Sequence, residues 1–181
     1  MDTPTVSTSL RLLTVGRLVP PKNYPLAIET AARLRGKGLD FIWFFVGDGE
    51  ERNNLEVMIR QHGLQGHIVL AGFQPNPYPF FQMCDIYVQT SAFEGFGLTL
   101  SEAKILHKPI VTTNFPAAFD QITDGENGLI AVMTPESVAE KILSIFGNPS
   151  LRARLIRGTE TAWNTTAVTE REKVNRLLTA E

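Results

Sequence analysis

The sequence contains little cysteine, no excess of basic residues and no long apolar run, and each of these shortages excludes a class of protein. Cys84 is the single cysteine, so the chain can form neither an internal disulfide nor a cysteine-based zinc site. The net charge of −2 supplies no positive field that would gather nucleic acid. The longest apolar run, Phe41–Val46, is far too short to cross a bilayer. We predict a cytoplasmic protein without a transmembrane segment, with the inner face of the membrane as an alternative location.

Several motifs of common enzyme families are also missing. The sequence has no Gly-any-Ser-any-Gly elbow, no phosphate-binding loop that ends in Gly-Lys-Ser or Gly-Lys-Thr, and no set of three spaced glycines after its first predicted strand. The histidines His62, His67 and His107 fall on different predicted elements and lack the spacing of a metal site. These absences argue against a hydrolase of that type, a nucleoside triphosphatase, a dehydrogenase and a histidine-based metal centre.

What the sequence does contain is a regular alternation of strand-like and helix-like segments. Its 181 residues, 43% of them hydrophobic and 20% charged, suit one globular domain with a substantial core. Because the predicted strands are apolar on both faces, we predict an α/β fold, a Rossmann-like doubly wound parallel sheet of about six strands. The predicted strands are Leu10–Val15, Phe41–Val46, His67–Ala71, Asp85–Gln89, Lys108–Thr112 and Asn127–Ile130.

The helix predictions depend on apolar side chains at helical spacing, with proline or glycine near the ends of the segments. The clearest helix is Pro135–Phe146, for which Thr134 is the expected N-cap. Residues 1–9 are expected to form a flexible lead-in. The predicted helices are Pro25–Arg35, Glu50–His62, Pro77–Met83, Leu98–His107, Pro135–Phe146, Ser150–Arg157 and Thr161–Leu178.

The most informative segment is the glycine turn after the fourth predicted strand. It reads Glu94-Gly95-Phe96-Gly97 and opens the helix that begins at Leu98. A glycine turn before a helix leaves backbone N–H groups free, and these groups can hold a phosphate. Glu94 and Glu102 flank the turn and suit hydrogen bonds to sugar hydroxyls, because carboxylates repel phosphates. The segment therefore predicts a ligand with both phosphates and hydroxyls, such as a nucleotide-sugar.

The loop after the first predicted strand contributes two cations. Arg17 and Lys22 follow Gly16 and lie five positions apart, and a guanidinium with an ammonium near a helix start makes a good pair for a diphosphate. The simpler alternative is two solvated surface cations.

The turns after the second and third predicted strands are more ambiguous. Gly47 and Asp48 could form a nucleotide-binding edge, or an ordinary turn in which Asp48 caps the next helix. Phe73, which follows Gly72, could face a base or lie in the core.

Taken together, these motifs resemble one family. Glu94 and Glu102, with seven residues between them and Gly-Phe-Gly-Leu after the first, resemble the paired-glutamate motif of retaining glycosyltransferases of the GT-B architecture, the glycosyl transferases group 1 family. Four further blocks resemble the family in the expected order, so that the resemblance covers Leu10 to Phe146. These blocks are Gly16-Arg17-Leu18 with Lys22, Val46–Gly49, Val69–Phe73 and Asp124–Leu129.

The resemblance implies a role for each matching residue. Arg17 and Lys22 would hold the donor diphosphate and stabilise its charge as it leaves. Glu94 would bind the transferred sugar, which makes Glu94, Arg17 and Lys22 the catalytic set, and Glu102 would bind the ribose. The resemblance further implies transfer with retention, a UDP-, GDP- or ADP-linked sugar as the substrate, and neither a metal nor a cofactor. The implied donor-binding residues are Gly16, Arg17, Lys22, Gly47, Gly72, Phe73, Glu94, Gly95, Phe96, Gly97, Leu98 and Glu102.

The family resemblance also implies a second domain. Family members have two Rossmann-like domains with the active site between them, and this chain resembles only the C-terminal, donor-binding one. We therefore expect residues 1–181 to form a single nucleotide-sugar-binding domain that is inactive alone, with a sugar or lipid-linked acceptor bound through the missing half. The helices over 150–181 could pack on that half or cover this domain's own sheet. A polysaccharide or glycolipid pathway would follow.

One departure from the family pattern lies after the fifth predicted strand. Pro116-Ala117-Ala118-Phe119 stands where the family has a Gly-Gly pair, just before Asp120. Either the loop has a different shape here, or the sugar or the acceptor differs.

Two alternative functions stay open. A GT-B relative could catalyse epimerisation of a sugar nucleotide or phosphorolysis. An epimerase would need extra acid–base residues near the sugar, and a phosphorylase would need a lysine for its pyridoxal cofactor. A non-catalytic nucleotide-binding module would need neither, and its affinity for a nucleotide would not depend on Glu94.

Overall fold

The computed structural model describes residues 9–160. The predicted lead-in over 1–9, apart from Ser9, and the predicted helix Thr161–Leu178 lie outside these residues.

Six parallel strands form a single sheet. The strands are Leu10–Val15 (β1), Phe41–Val46 (β2), Ile68–Gly72 (β3), Ile86–Gln89 (β4), Ile110–Thr113 (β5) and Leu129–Ala131 (β6). Their order across the sheet is β3-β2-β1-β4-β5-β6. The sheet is buried on both faces, as the apolar sequences of its strands require. The predicted parallel sheet is therefore confirmed.

Helices cover the sheet on both sides, which makes the fold doubly wound. The helices are Tyr24–Gly36 (α1), Arg52–Gln61 (α2), Tyr78–Met83 (α3), Leu98–Ile105 (α4), Pro116–Phe119 (α5) and Pro135–Phe146 (α6). Residues 149–160 form a further helix, α7. Successive strand residues enter opposite cores: Leu12 lies in the core formed with α1, α2 and α6, and Leu13 in the core formed with α3, α4 and α5.

Strands β1 and β4 are neighbours at the centre of the sheet, although β2 and β3 come between them in sequence. The chain therefore leaves β1 in one direction and β4 in the other, and a crevice opens between the two loops at the carboxyl ends of these strands. Buried polar contacts fix the two strands together. Trp43 Nε1 donates to Thr14 Oγ1 over 3.0 Å, and Thr14 Oγ1 donates to the Val88 carbonyl oxygen over 2.7 Å.

The predicted bounds agree with the structure at β1, β2 and α6, and Thr134 caps α6 by accepting a hydrogen bond from the Ser137 N–H. Helix α2 begins at Arg52 rather than at Glu50, because the Glu51 N–H donates to the Leu18 carbonyl oxygen before the helix starts. Two short elements were not predicted, since they are too short to show a period: α5 and a 3-10 turn at Pro20–Lys22.

Among the helices of the described residues, none combines the length and the apolar character that a bilayer crossing requires.

Candidate functional site

The loops that follow β1 and β4 are hydrogen-bonded to each other across the crevice. The Ala92 N–H donates to the Pro21 carbonyl oxygen over 2.9 Å, and Thr90 Oγ1 donates to the Lys22 carbonyl oxygen over 3.2 Å. The 3-10 turn that carries Lys22 ends at Asn23, whose φ of +52° reverses the chain into α1. The backbone of Lys22 is thus held beside the β4 loop by contacts that the sequence motifs do not reveal.

Glu94 lies at the centre of this site. Its Oε1 accepts hydrogen bonds from Lys22 Nζ at 2.5 Å, from Ser91 Oγ at 2.6 Å and from Gln89 Nε2 at 2.8 Å. Its Oε2 receives no hydrogen bond from residues 9–160. The side chains of Glu94 and Lys22 are 11% and 21% exposed, so the ion pair is largely shielded from water. One carboxylate oxygen is therefore saturated and the other is available to a ligand.

Sequence reasoning missed the residues that hold Glu94. Gln89 ends β4 and is buried, and its Oε1 accepts hydrogen bonds from Tyr87 OH and Thr99 Oγ1, each over 3.1 Å. The available signal was a glutamine at the end of an otherwise apolar strand, directly before a glycine turn. Buried polar side chains require partners, so such a residue indicates a neighbouring polar group.

The start of α4 offers backbone N–H groups to an anion. Gly97 is the N-cap with a φ of +74°, a conformation that favours glycine. The N–H groups of Phe96, Gly97 and Leu98 have no acceptor within the part of the chain that the structure describes. These three residues line a cleft of about 320 Å³ at the amino end of α4, where the helix dipole is positive. The cleft is lined by Lys22, Glu94, Phe96, Gly97, Leu98 and Thr99.

Gln121 fixes the shape of this turn and was also missed. Its Nε2 donates to the carbonyl oxygens of Phe96 and Gly97, and its Oε1 accepts a hydrogen bond from Ser101 Oγ over 2.9 Å. The turn is consequently braced by a side chain from beyond α5. Gly95, between the two glutamates, has open space at its Cβ position and makes no such contact.

A second cleft, of about 500 Å³, lies on the other side of the β1 loop. Arg17 is exposed there and makes no ion pair with residues 9–160. Phe73 is 71% exposed, so it is not a core residue and is free to contact a ligand. The lining consists of Val15, Gly16, Arg17, Val46, Gly47, Asp48, Phe73, Gln74 and Pro77.

Two glycines keep the turns of this second cleft close together. The Gly47 N–H donates to the Gly72 carbonyl oxygen over 2.9 Å, and a Cβ at Gly47 would lie 1.9 Å from the Gly16 carbonyl oxygen. No other residue fits there. The interpretation of Asp48 as a helix cap is wrong: the N-cap of α2 is Glu51, and Asp48 Oδ1 accepts the Gly49 N–H over 2.8 Å.

Gly16 links the residues of the two clefts, since it lines the larger one and lies beside Lys22, which lines the smaller one. A Cβ on Gly16 would lie 3.2 Å from Lys22 Cε, and the Gly16 carbonyl oxygen accepts a hydrogen bond from the buried Tyr24 OH over 2.9 Å. Arg17 therefore lines one cleft and Lys22 the other, and both are near the same glycine. A diphosphate that bridges the clefts could contact both cations.

Glu102 lies further along α4 and lines neither cleft. Its Oε1 accepts a hydrogen bond from Tyr78 OH over 3.5 Å. Partial burial raises the pKa of Glu102, and the Tyr78 contact only partly opposes this. The two glutamates of the motif thus have different surroundings, Glu94 beside an ammonium and Glu102 beside a phenol.

The loop after β5, where Pro116 and Ala117 replace the expected glycines, forms a short helix. Pro116 begins the short helix α5, with Phe115 buried beneath it. Phe119 is 61% exposed and Asp120 is exposed beside it. Proline supplies no N–H, so this loop offers one donor fewer than a Gly-Gly pair would.

As regards metals, residues 9–160 contain no group of three histidine, cysteine or acidic side chains placed to hold an ion. His67 is engaged elsewhere, stacked on Phe41 and hydrogen-bonded to the Phe41 carbonyl oxygen. The groups present at the crevice suit a different ligand. Two cations and a helix N-terminus suit a diphosphate, and a carboxylate oxygen without a protein partner suits a hydroxyl.

Comparison with known proteins supports this description. A model of the family described as glycosyl transferases group 1 matches residues 2–161. The chain belongs to this family. The predicted family assignment is therefore confirmed.

Among curated members, a lipopolysaccharide core biosynthesis glycosyltransferase, LpsE, from Rhizobium meliloti is 36% identical over 152 residues, 83% of this chain and 44% of LpsE. The α-D-kanosaminyltransferase of Streptomyces kanamyceticus is 28% identical over 148 residues, 80% of this chain and 38% of that enzyme. The chain thus spans less than half the length of these relatives.

Solved structures of the family show the same fold. Staphylococcus aureus TarM, in complex with fondaparinux, α-GlcNAc-glycerol and UDP, superposes with a TM-score of 0.86 at 27% identity, over 99% of this chain and 38% of TarM. The C-terminal domain of a group 1 protein, LpcC, from Francisella tularensis superposes with a TM-score of 0.76 at 23% identity. This second match covers 87% of this chain and 85% of that domain.

Proposed function

We propose that this chain is the donor-binding, C-terminal domain of a retaining glycosyltransferase that uses a nucleotide-sugar. The observation that carries the proposal is the arrangement at the crevice. The Lys22–Glu94 pair, with one carboxylate oxygen left over, stands beside the unpaired N–H groups at the start of α4. A sugar joined to a diphosphate requires both kinds of group next to each other.

The diphosphate lies, in this proposal, across the junction of the two clefts. Arg17 approaches it from the larger cleft and Lys22 from the smaller one, and the N–H groups of Phe96, Gly97 and Leu98 hold its oxygens. These groups are aimed at the position where negative charge develops as the bond to the sugar breaks. Such preorganised positive charge stabilises a departing diphosphate.

The transferred sugar lies beside Glu94, whose Oε2 accepts a hydrogen bond from one of its hydroxyls. The nucleoside occupies the larger cleft, where Phe73 offers apolar contact to the base and the turns at Gly47 and Gly72 leave room for it. The ribose hydroxyls extend out of this cleft to Glu102, which lies outside its lining but contacts Tyr78, the residue next to Pro77 of the lining. Its raised pKa predicts that this contact weakens in mildly acidic solution, because protonation removes the acceptor charge.

The donor sugar is linked to UDP, GDP or ADP, and the complex of TarM with UDP favours UDP among the three. The acceptor binds through the remainder of the whole protein, so the isolated chain binds the donor but transfers no sugar. One relative, LpsE, belongs to lipopolysaccharide core biosynthesis, and another transfers N-acetylgalactosamine to a sugar on diphospho-undecaprenol. A lipid-linked acceptor would bring the protein to the inner face of the membrane.

Calorimetric titration of the chain tests this proposal. The ligands are UDP-glucose, GDP-glucose, ADP-glucose and UDP-N-acetylglucosamine, each compared with its bare nucleoside diphosphate. We expect at least one pair to bind, and Glu94→Ala to shift the ratio of the two affinities about tenfold toward the bare nucleotide, the effect of one charge-assisted hydrogen bond. If none of these ligands binds, the proposed donor site is wrong.

The non-catalytic nucleotide-binding module remains a competing function, and the same titration separates it. A module of that kind binds the nucleoside diphosphate equally well with or without a sugar, and it does so in Glu94→Ala as in the original chain. A ratio of affinities that does not respond to the substitution therefore favours the module.

A further inference from the structure

A row of hydrogen bonds lies behind Glu94, and the proposed function assigns none of the side chains behind Glu94 to the ligand. It runs from Tyr87 OH and Thr99 Oγ1 to Gln89 Oε1, and from Gln89 Nε2 to Glu94 Oε1. Gln89 is 3% exposed and Tyr87 is fully buried, so these two side chains are out of reach of solvent, whereas Thr99 lines the smaller cleft. The family motif contains Glu94 but not these supporting residues.

The chemistry of the neighbours fixes the orientation of the Gln89 amide. A carboxylate can only accept hydrogen bonds, so the NH2 group must face Glu94. The amide oxygen then faces Tyr87 and Thr99, whose hydroxyls donate to both of its lone pairs. Burial raises the pKa of Tyr87 well above its usual value, which keeps the phenol protonated as a donor.

Gln89 differs from Lys22 in that no ligand competes for it. The Lys22 ammonium is shared with the diphosphate when the donor binds, and its side chain is more exposed than that of Glu94. The last torsion of a glutamate side chain is broad, so a carboxylate held only by a shared lysine would turn freely. The contacts from Gln89 Nε2 and Ser91 Oγ do not depend on the lysine. Of these two donors, Gln89 is the one whose own orientation is fixed by further hydrogen bonds, from Tyr87 and Thr99.

We propose that Gln89 is a positioning residue that holds Oε1 of Glu94, so that Oε2 faces the sugar of the bound donor. The inference rests on the proposed function, because it assumes that a sugar lies beside Glu94. Gln89 does not touch the ligand. It acts through Glu94, and it sets how strongly the site favours a nucleotide-sugar over the bare nucleotide.

A neutral amide is the side chain that this position requires. A carboxylate there would stand 2.8 Å from Glu94, and two ionised carboxylates at that distance repel each other until one proton is shared between them. A leucine would fill the space but would give Glu94 no donor and would leave Tyr87 and Thr99 without their acceptor. The first substitution replaces an attraction at Oε1 of Glu94 with a repulsion, and the second removes the attraction, so each leaves only Lys22 and Ser91 to hold this oxygen.

The test measures the affinity ratio, nucleotide-sugar against bare nucleoside diphosphate, in the full 181-residue chain by calorimetry. At about pH 7.5 we expect Gln89→Glu to shift the ratio roughly fivefold or more toward the bare nucleotide, while its affinity for the nucleoside diphosphate stays within about twofold. As the pH falls to about 5, one shared proton re-forms the bond to Glu94 and the ratio returns toward that of the original chain at the same pH.

Two further variants complete the experiment. Gln89→Leu is expected to shift the ratio at every pH, because no proton can restore its contact. Thr112→Val is the matched control, since Thr112 is fully buried and pairs with Gln89 in the sheet but does not touch Glu94. Thermal unfolding shows whether each variant folds. If Gln89→Leu does not fold, the affinity ratio of Gln89→Glu alone decides whether Gln89 positions Glu94.

The possible outcomes separate this inference from the proposed function. If the original chain binds none of the ligands, both the donor site and the positioning role of Gln89 are wrong. If Gln89→Glu has the same affinity ratio as the original chain at every pH, the positioning role is wrong, while the donor site is unaffected by that result. A parallel fall in both affinities, with no pH-dependent recovery, also overturns it, because that pattern belongs to a residue that only supports the fold.

Discussion

One ion pair joins β1 and β4 at the amino ends of the strands, called the amino edge here, and another joins the loops at their carboxyl ends, the carboxyl edge. The two pairs differ in which carboxylate oxygens they leave without a partner. At the amino edge, Arg11 Nε and Nη2 donate to the two oxygens of Asp85, each over 3.0 Å. The Arg11 N–H and Arg152 Nη2 add further contacts to the same carboxylate. At the carboxyl edge, Lys22, Gln89 and Ser91 all donate to one oxygen of Glu94.

This difference separates a structural ion pair from a ligand-directed one. Asp85 has both oxygens occupied, so it has nothing left to offer and serves to tie β1, β4 and α7 together. Glu94 keeps one oxygen without a protein partner, at the edge where ligands of such sheets bind. Burial raises the pKa of Asp85, but the hydrogen bonds and charge of Arg11 outweigh that effect and leave the pKa below its usual value.

The largest effect is expected from reversing a charge at the carboxyl edge. Arg17→Glu replaces an attraction to the diphosphate with a repulsion, and it should weaken binding of the tightest nucleoside diphosphate by about 2 kcal/mol, roughly 30-fold. Calorimetry measures the loss. The matched control is Arg60→Glu in the last turn of α2, which makes the same charge change away from the clefts and should leave the affinity within about twofold. Equal losses in both variants would mean that only the net charge matters.

The next effect concerns stability at the amino edge. Asp85→Ala should lower the free energy of unfolding by about 1.5 kcal/mol near neutral pH, a figure discounted for the partial exposure of the pair, and should leave nucleotide affinity unchanged. The folded-state pKa of Asp85 is lowered, so its stabilisation is present above the unfolded value of about 4 and is lost as the pH falls through the folded value.

Urea unfolding near pH 7 and near pH 3 measures both parts of this prediction. The difference between the original chain and Asp85→Ala should shrink at the lower pH. Asp48→Ala serves as a control, because Asp48 is exposed and its pair with Arg52 is long, at 3.7 Å. Its effect on stability should stay within about 0.5 kcal/mol. A larger loss in Asp48→Ala than in Asp85→Ala would contradict the structural role given to the amino-edge pair.

The smallest effect tests how the turn before α4 is held. Gly97→Ala should destabilise the fold by about 1 kcal/mol, because Gly97 has a positive φ and a Cβ there would lie 3.2 Å from Gln121 Nε2. It should also weaken nucleotide binding by displacing the N–H groups. Gly95→Ala is the control, with open space and no positive φ. Indistinguishable thermal melts for the two variants would show that the turn tolerates a side chain equally at either position.

Much of the fold could be predicted because its signals are local. The bounds of β1, β2 and α6 follow from runs and periods of apolar residues within each segment. The glycine turn at residues 94–97 was identifiable for the same reason, since glycine and the residues beside it set the backbone there. The four residues of α5 were missed because one turn of helix shows no period.

The contacts of the site could not be predicted in the same way. Lys22 and Glu94 are 72 residues apart, and nothing in either segment indicates that the ammonium reaches the carboxylate. The bonds from Ala92 and Thr90 to the β1 loop decide it. Gln89 and Gln121 went unnoticed because a glutamine has no preference of its own that distinguishes a buried partner from a surface residue.

The sequence by itself determined the alternation of strands and helices, the glycine turns at the strand ends and the residue types available for a diphosphate and a sugar. These depend on local backbone preference and on which side chains carry charge. Only the tertiary structure decided which oxygen of Glu94 is occupied and which is open, and which cleft each cation lines. Those outcomes depend on the packing of β1 against β4, which brings together segments that are distant in the chain.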